Sequence, residues 1–122
     1  MWEPIWGTDA WVALAAAAMQ TERIRMGTML RSLRRMRPWK LASEAASLDN
    51  LSGGQLILSV GLGALKAGYP EFGEIAERRT RAELLDEGLA ILTGLWAGQL
   101  FAHDGKQYII KPIEVIVPQP PA

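Results

Sequence analysis

The sequence predicts an α/β protein in which helices alternate with short buried strands. The patterns indicate a helix, a strand, a helix, a strand, a helix and a hairpin, in that order. The second strand, Leu56 to Val60, is almost continuously aliphatic, as expected when both faces of a parallel sheet are covered. Two parallel strands cannot close a sheet, and no strand precedes the first helix. The 122 residues therefore predict one domain that forms an arc of a larger α/β structure.

The first helix and the first strand have different periodicities. Asp9 to Gln20 is rich in alanine, which has the highest helix propensity, and Thr8 or Asp9 can cap its start. Ile24 to Leu30 has apolar or β-branched residues at every second position, which predicts a strand. The segment Arg31 to Arg37 is predicted to be a loop.

The second helix and second strand are bounded by proline and glycine. Pro38 suits the first turn of a helix, and the pair Gly53-Gly54 can end that helix. After the strand, the segment Gly61 to Gly73 is rich in glycine and is predicted to be an irregular loop.

The last helix and the hairpin complete the pattern. Glu77 to Ala97 has a wide apolar stripe opposite charged positions, which predicts an amphipathic helix. Leu100 to Ile110 resembles a hairpin, with Asp104-Gly105 as a two-residue turn. A short strand, Glu114 to Val117, is predicted before the terminal prolines.

Composition excludes several classes of function. Thirteen basic residues balance thirteen acidic ones, which argues against binding to nucleic acid or to a membrane surface. The chain has no cysteine, which excludes disulfides and thiolate chemistry and favours the cytoplasm. Its single histidine is poor evidence for a metal, and no apolar run reaches the roughly 20 residues of a spanning helix. We therefore expect a soluble cytoplasmic protein without a metal site.

Two glycines follow the second strand in the sequence Gly61-Leu62-Gly63. Ligands of parallel α/β sheets bind beyond the carboxyl ends of the strands, which is where these residues fall. A dinucleotide-binding motif would need a third glycine at Lys66, and no Walker-type Gly-Lys-Ser or Gly-Lys-Thr occurs. The residues alone leave two interpretations open. The glycines either let the backbone lie against a flat ring or form a simple bend.

Several short motifs together resemble one known family. They are Thr21-Glu22-Arg23-Ile24-Arg25 before Gly27-Thr28, Arg37-Pro38 at a helix start, Leu48-Asp49 and Leu51-Ser52-Gly53-Gly54 before Val60-Gly61-Leu62-Gly63, the helix sequence RAELLDEGLAILTGLW, and the hairpin with Gly105 and Tyr108. From Trp6 onward the chain resembles the luciferase-like monooxygenases, which include bacterial luciferases and deazaflavin-dependent reductases.

The resemblance implies a TIM (β/α)₈ barrel that binds FMN or coenzyme F-420 at its C-terminal mouth. A complete barrel has about 250 residues, so residues 1–122 would form about half of one, with a small β-hairpin insertion. Ile24 to Leu30 and Leu56 to Gly61 would be its third and fourth strands. The resemblance does not decide between FMN and coenzyme F-420.

The resemblance also implies the positions of the cofactor contacts. The third strand would end in a bulge with a cis peptide bond between Met29 and Leu30, behind the ring. Gly61, Leu62 and Gly63 would line the same ring. Some deazaflavin-dependent members have a glutamate acid after the glycine pair, but Ala64 stands here, which argues against sugar-phosphate dehydrogenase chemistry. No catalytic residue is assigned within this chain.

The expected function is therefore one part of a flavin- or deazaflavin-dependent oxidoreductase or monooxygenase. The segment would supply one wall of the ring pocket and would be inactive alone. A small-molecule substrate and a homo-oligomer are expected for the complete protein. The alternative is a shortened, non-catalytic relative that completes a barrel with a partner chain. A reading frame cut at both ends is a third possibility.

Other polar and aromatic residues allow two interpretations each. The loop that contains Arg31, Arg34, Arg35 and Arg37 could contact an anionic cofactor tail or substrate, but a solvated loop is favoured. His103 is expected to be an exposed turn residue rather than a catalytic one. The indoles near the start could border a pocket, but packing is favoured. The acidic residues of the last helix are expected to lie on the surface, with Arg79 paired to Glu83. The indoles are those of Trp2, Trp6 and Trp11, and the acidic residues are Glu83, Asp86 and Glu87.

Overall fold

A parallel strand pair, three helices and a hairpin make up the computed structural model, which describes residues 8–33, 36–63, 72–74 and 77–114. The helices are α1 (Ala10–Gln20), α2 (Pro38–Leu51) and α3 (Arg78–Trp96). The strands are β1 (Met26–Ser32), β2 (Leu56–Gly61), β3 (Phe101–Asp104) and β4 (Ile109–Ile113). β1 pairs with β2 in parallel, and β3 pairs with β4 in an antiparallel hairpin. The predicted order of helices and strands, from α1 to the hairpin, is confirmed.

One hydrophobic core joins the three helices to one face of the parallel sheet. Leu14 of α1, Leu41 of α2 and Ile91 of α3 belong to the same buried cluster. From the sheet, Met26 and Leu58 pack against that cluster. Burial of each large aliphatic side chain contributes about 1.5–3 kcal/mol, so this contact is what holds the helices on the sheet.

The opposite face of the parallel sheet is open within the part of the chain that the structure describes. Side chains alternate between the two faces of a strand, so Gly27 and Met29 of β1 and Ile57 and Gly61 of β2 point to this face. Met29 is 76% exposed and Ile57 is 50% exposed. The prediction that both faces of β2 are covered is therefore not confirmed for the described residues. We refer to this surface as the open face.

The first strand lies two residues further along the chain than predicted. Ile24 precedes β1 and is 61% exposed, whereas Arg31 is part of the strand and not of a loop. The pairing with β2, which runs from Met26 opposite Leu56 to Ser32 opposite Gly61, sets these bounds. A strand ends where its partner ends, and this information is absent from the local periodicity of β1.

A network of hydrogen bonds connects the end of α2 to the start of β2. The buried Asp49 accepts the N–H of Leu56 through Oδ1 at 3.3 Å, and the Ser52 hydroxyl donates to the Asp49 carbonyl at 3.1 Å. Gly54 has a φ of +82°, a conformation that residues with a side chain rarely adopt. The motif Leu51-Ser52-Gly53-Gly54 is therefore a structural turn at the amino end of β2, away from the carboxyl edge of the sheet.

Helices α1 and α3 begin close to their predicted positions. Asp9 caps α1 by accepting the Val12 N–H at 2.9 Å. Glu77 caps α3, where its carboxylate accepts the N–H groups of Arg79 and Thr80. The Thr80 hydroxyl also donates to Glu77. This bond, followed by the two N–H bonds, lowers the pKa of Glu77 below its ordinary value.

The hairpin differs from its prediction at both ends. Four residues, Gly105 to Tyr108, connect the strands, so the two-residue turn predicted at Asp104-Gly105 is wrong. β4 reaches Ile113 and includes Pro112, which a two-stranded ladder tolerates where no bond from its nitrogen is needed. Glu114 is outside the strand, and positions 115–117 of the predicted strand lie outside the described residues.

Among the helices that the structure describes, none combines the length and hydrophobicity needed to cross a membrane.

Gly27 provides a test of the sheet packing. A Cβ atom at this position would overlap with the backbone carbonyl of Ile57, which cannot move without breaking the ladder. We expect Gly27→Ala to lower the free energy of unfolding by about 3 kcal/mol or more. Urea denaturation followed by circular dichroism measures the change. Met19→Ala on α1, where Met19 is 65% exposed, should change it by less than about 0.5 kcal/mol. Equal stabilities of the two variants would contradict the close packing.

Candidate functional site

The two parallel strands end side by side at one edge of the sheet. Ser32, the last residue of β1, is paired with Gly61, the last residue of β2. Ligands of parallel α/β sheets bind beyond this carboxyl edge. The structure therefore brings together the residues predicted to contact a cofactor, which are Met29 and Leu30 on β1 and Gly61 to Gly63 at the end of β2.

A bulge interrupts β1 just before this edge. Thr28 is opposite Leu58 and Arg31 is opposite Val60, so Met29 and Leu30 together face the single residue Ser59. Two residues opposite a single residue on the partner strand define a β-bulge, which bends a strand and redirects its side chains. The bulge implied by the resemblance is present at the predicted residues. The side chain of Leu30 lies outside the described residues.

Met29 and Leu30 are joined by a trans peptide bond, so the prediction of a cis bond at the bulge is wrong. The ranges described by the structure contain no cis peptide bond. A non-proline cis bond costs about 3–4 kcal/mol and needs surroundings that enforce it. Met29 is 76% exposed, so its side chain is not pressed against the described residues. The described surroundings of the bulge therefore do not enforce a cis bond.

Thr28 stabilises the bulge from the covered face of the sheet. Its side chain is buried, with 3% exposure, and its hydroxyl donates to the Ser59 carbonyl at 3.1 Å. Ser59 is the residue opposite the bulge, where the ladder is locally disrupted. The threonine hydroxyl thus provides a hydrogen bond to a carbonyl at the point where regular pairing is lost.

The glycine loop after β2 is held from behind by a buried arginine. Gly61, Leu62 and Gly63 are half-buried, and Gly63 has a φ of +78°. Arg81 of α3 is only 7% exposed, and its Nη1 donates to the carbonyls of Leu62 at 3.3 Å and Gly63 at 2.9 Å. Sequence reasoning missed Arg81. A signal existed, because an arginine among apolar residues on the covered side of an amphipathic helix needs a buried partner.

The segment after β1 is also attached to α3. Leu33 is fully buried. A Cβ atom at Gly88 of α3 would lie 2.7 Å from Leu33 Cδ2, so only glycine leaves room for this side chain. The backbone beyond both parallel strands therefore contacts the same helix, through Leu33 for β1 and Arg81 for β2.

A second polar cluster connects α3 to the hairpin. Glu87 accepts the N–H groups of Lys106 at 2.8 Å, Gln107 at 2.9 Å and Tyr108 at 2.9 Å, and lies 3.1 Å from His103 Nε2. The Glu87 side chain is 16% exposed and that of His103 is 17% exposed. The predictions of a surface Glu87 and an exposed His103 are therefore wrong. Glu87 holds the hairpin loop through these three N–H groups, and His103 contacts Glu87 from β3.

The same contacts determine the ionisation of two glutamates. Burial tends to raise the pKa of Glu87, but hydrogen bonds from the Gln107 N–H, His103 and the other loop N–H groups outweigh it and lower that pKa. Hydrogen bonds from the Lys106 ammonium and the Gln107 amide lower the pKa of Glu83 as well. Both carboxylates are therefore charged at neutral pH and act as acceptors. Neither has the raised pKa of a general acid.

The remaining candidate residues have structural positions or lie outside the described ranges. Arg79 pairs with Glu83 at 3.4 Å, as predicted. Trp11 is buried in the core, which confirms packing for this indole. Arg37 is exposed at the start of α2. Trp2, Trp6, Arg34, Arg35 and the side chain of Arg31 lie outside the described residues. Throughout the described ranges, no group of three or more His, Asp or Glu residues is arranged to hold a metal ion.

Comparison with known proteins identifies the family to which this arrangement belongs. The sequence model of the luciferase-like monooxygenases matches residues 1–122, so the chain belongs to the luciferase-like monooxygenase family. The resemblance inferred from the motifs is thereby confirmed.

Two curated relatives illustrate the range of the family. The chain is 40% identical over 93 residues to 4-hydroxyprotoasukamycin monooxygenase of Streptomyces nodosus subsp. asukaensis, covering 73% of this chain and 25% of that protein. It is 34% identical over 104 residues to the F-420-dependent glucose-6-phosphate dehydrogenase of Nocardia farcinica, covering 81% of this chain and 30% of that protein. The chain therefore spans about a quarter to a third of these relatives.

Solved structures give the same result for the fold. The monooxygenase RslO1 from Streptomyces bottropensis has a TM-score of 0.78 at 31% identity, over 91% of this chain and 33% of that one. The oxygenating constituent of 3,6-diketocamphane monooxygenase from Pseudomonas putida, solved in complex with FMN, has a TM-score of 0.76 at 25% identity, over 91% and 34%. The mixed α/β structure of this chain is thus that of one part of a luciferase-like protein.

Glu87 provides a pH-dependent test of the hairpin attachment. We expect Glu87→Gln to lower the free energy of unfolding at pH 7 by about 1–3 kcal/mol, because a charged acceptor of several hydrogen bonds is lost. The folded-state pKa of Glu87 is lowered, so its contribution is present above the ordinary glutamate pKa of about 4.3 and is lost as the pH falls through the folded value.

The difference between wild type and Glu87→Gln should accordingly shrink as the pH is lowered from about 5 toward 3. Urea denaturation at each pH measures it. Asp86→Asn is the matched control, since Asp86 is an exposed neighbour on the same helix, and its effect should stay within about 0.5 kcal/mol. A pH-independent difference for Glu87→Gln would contradict the assignment.

Proposed function

We propose that this chain is part of a flavin- or deazaflavin-dependent oxidoreductase or monooxygenase, and that it supplies one wall of the ring-binding pocket. The observation that carries the proposal is the juxtaposition of the β1 bulge at Met29-Leu30 with the glycine loop Gly61 to Gly63. Both lie at the carboxyl edge of the same parallel strand pair. Family membership gives this edge its expected occupant.

The chemistry of the edge fits a flat ring. Gly61 and Gly63 have no side chains, so a ring can approach the main chain there. Met29 adds an exposed apolar side chain on the open face, and methionine makes favourable contacts with aromatic surfaces. The faces of a flavin or deazaflavin ring are flat and apolar, which suits such a surface. We propose Met29, Leu30, Gly61, Leu62 and Gly63 as the ring contacts.

The open face supports an assignment to the inside of a barrel. The three helices cover the other face, as the outer helices of a (β/α)₈ barrel do. We propose that Met29 and Ile57 point into the barrel and that the carboxyl edge forms part of its mouth. The prediction of about half a barrel assumed a complete barrel of about 250 residues. The relatives are longer, since this chain covers only 25% and 30% of the two curated ones. The hairpin of β3 and β4 is the proposed insertion.

The proposed cofactor is FMN or coenzyme F-420. One solved neighbour was determined in complex with FMN, and one relative is F-420-dependent by name. The ring supplies hydride transfer or the oxygenation of a substrate when it is bound. The residues of this chain would bind one side of the ring, orient it and exclude water from the edge at Gly61.

The substrate class proposed is a small molecule, and the complete enzyme is proposed to form a homo-oligomer. No catalytic residue is assigned within the described ranges. The position after Gly63 is Ala64, where some deazaflavin-dependent members have a glutamate acid. This departure argues against sugar-phosphate dehydrogenase activity even though one such enzyme is a relative.

A second candidate is a non-catalytic relative that completes a barrel with a partner chain. The exposure of Met29 and Ile57 on the open face favours it, because large apolar side chains on one surface mark an interface. The two-stranded parallel sheet also presents unpaired edges, which favour strand pairing with another chain.

Ring binding tests the leading proposal directly. Purified chain is titrated with FMN and, separately, with coenzyme F-420, and the fluorescence of each ring is followed. We expect saturable binding of one of them. Gly61→Leu should weaken it about tenfold or more, because an overpacked contact costs about 1–3 kcal/mol.

Two methionines provide a matched control. Met29→Ala should weaken ring binding several-fold, since it removes apolar contact area at the edge. Met19→Ala changes an equally exposed methionine on α1 and should leave binding unchanged. Size-exclusion chromatography with light scattering decides between the two candidates. A stable complex with another chain that binds neither ring would favour the non-catalytic relative, and a monomer that binds neither would contradict both.

A further inference from the structure

Among the residues that the structure describes, Arg81 is the most deeply buried charged side chain near the carboxyl edge. It belongs to the second turn of α3 and is 7% exposed. Charged residues are almost never this buried unless their charge is satisfied. The Nη1 atom of Arg81 donates to two successive carbonyls of the glycine loop, at 3.3 Å from Leu62 O and 2.9 Å from Gly63 O. Such charge-assisted hydrogen bonds are about twice as strong as neutral ones.

The two hydrogen bonds fix the orientation of the loop peptides. Successive carbonyls of an extended strand point in alternating directions, so their convergence on one nitrogen requires a turn of the backbone. Gly63 provides it, with a φ of +78° that only glycine adopts without strain. The N–H of Gly63 belongs to the same planar trans peptide as the Leu62 carbonyl and points in the opposite direction. It therefore points away from Arg81 and α3.

We propose that Arg81 is a positioning residue of the ring pocket. By holding the carbonyls of Leu62 and Gly63 against α3, it directs the Gly63 N–H toward the ligand side of the loop. There the N–H donates a hydrogen bond to an acceptor atom at the edge of the ring. This inference rests on the proposed function for the identity of the ligand, whereas the orientation of the loop rests on the Arg81 contacts alone.

The charge of Arg81 adds to this effect. The guanidinium of Arg81 places a positive charge directly behind the loop. The loop side facing the ligand should then favour an electron-rich or anionic acceptor. Arg79, two residues earlier on α3, shows the contrast. Its side chain is 82% exposed and pairs with Glu83 on the helix surface, so it has no such role.

The first experiment measures the loop without any ligand. Two-dimensional ¹H–¹⁵N NMR spectra are recorded for wild type, Arg81→Met, Arg81→Lys and the control Arg79→Met. If Arg81 orients the loop, Arg81→Met shifts the Gly63 amide resonance, because the carbonyl of the same peptide loses its charge-assisted hydrogen bond. Arg81→Lys should have a smaller effect, since the lysine ammonium replaces the guanidinium only as a point charge. Arg79→Met should leave the resonance unchanged.

The second experiment measures ring binding with the same variants. We expect Arg81→Met to weaken the binding of FMN or coenzyme F-420 about tenfold, Arg81→Lys to weaken it less, and Arg79→Met to have no effect. The Gly63 amide resonance should shift when wild type is saturated. Urea denaturation establishes that each variant is folded, and Arg81→Lys keeps the test valid if Arg81→Met does not fold.

The outcomes separate this inference from the proposed function. An unchanged Gly63 resonance in the folded Arg81 variants overturns the positioning role, whether or not a ring binds. A changed resonance with tenfold weaker binding supports both proposals. A changed resonance in a chain that binds neither ring supports the orientation by Arg81 and contradicts the proposed function. Wild-type affinity in Arg81→Met would overturn the use of the Gly63 N–H by the ring.

Discussion

The parallel pairing of β1 and β2 is the constraint on which the rest of the structure depends. Because both strands run in the same direction, their carboxyl ends must meet at one edge, where Ser32 and Gly61 are paired. The crossover helix α2 then has to pack on one face of the sheet. The other face is left with Met29 and Ile57 exposed. The separation of a covered face from an open face follows from this single pairing.

Helix α3 gives the carboxyl edge its shape. Gly88 leaves room for Leu33 after β1, and Arg81 binds the carbonyls after β2. The contact at Gly88 depends on the absence of a side chain, and the contact at Arg81 depends on a buried charge. One rigid helix therefore fixes the backbone beyond both strands. This arrangement places two irregular segments next to each other more accurately than loops could be placed on their own.

The motifs shared with the luciferase-like family serve different purposes within the fold. The turn with Asp49 and Ser52 closes the amino end of β2, far from the carboxyl edge, through hydrogen bonds to its own neighbours. Glu87 satisfies three backbone N–H groups of the hairpin loop. Gly61 and Gly63 belong to the carboxyl edge itself. Asp49, Ser52 and Glu87 therefore stabilise the fold, whereas Gly61 and Gly63 lie where the proposed ligand would bind.

Several features could be predicted from the sequence because their causes are local. Periodicity, capping residues and helix propensity predict the order of the elements, the ends of α1 and α3, the parallel strands and the positions of Gly61 and Gly63. The bulge at Met29-Leu30 was anticipated only through the family resemblance. The pairing of Arg79 with Glu83 was predictable from the spacing of four residues along one helix.

The tertiary structure alone decided the contacts between residues far apart in the sequence. Arg81 reaches carbonyls 18 and 19 residues away, and Glu87 binds a loop about 20 residues away. The extent of β1 depends on the length of its partner, and the burial of His103 depends on Glu87. No local pattern encodes these contacts, because each of them requires the helices to be packed on the sheet first. The sequence by itself therefore determined which elements form, and packing determined which groups the carboxyl edge presents.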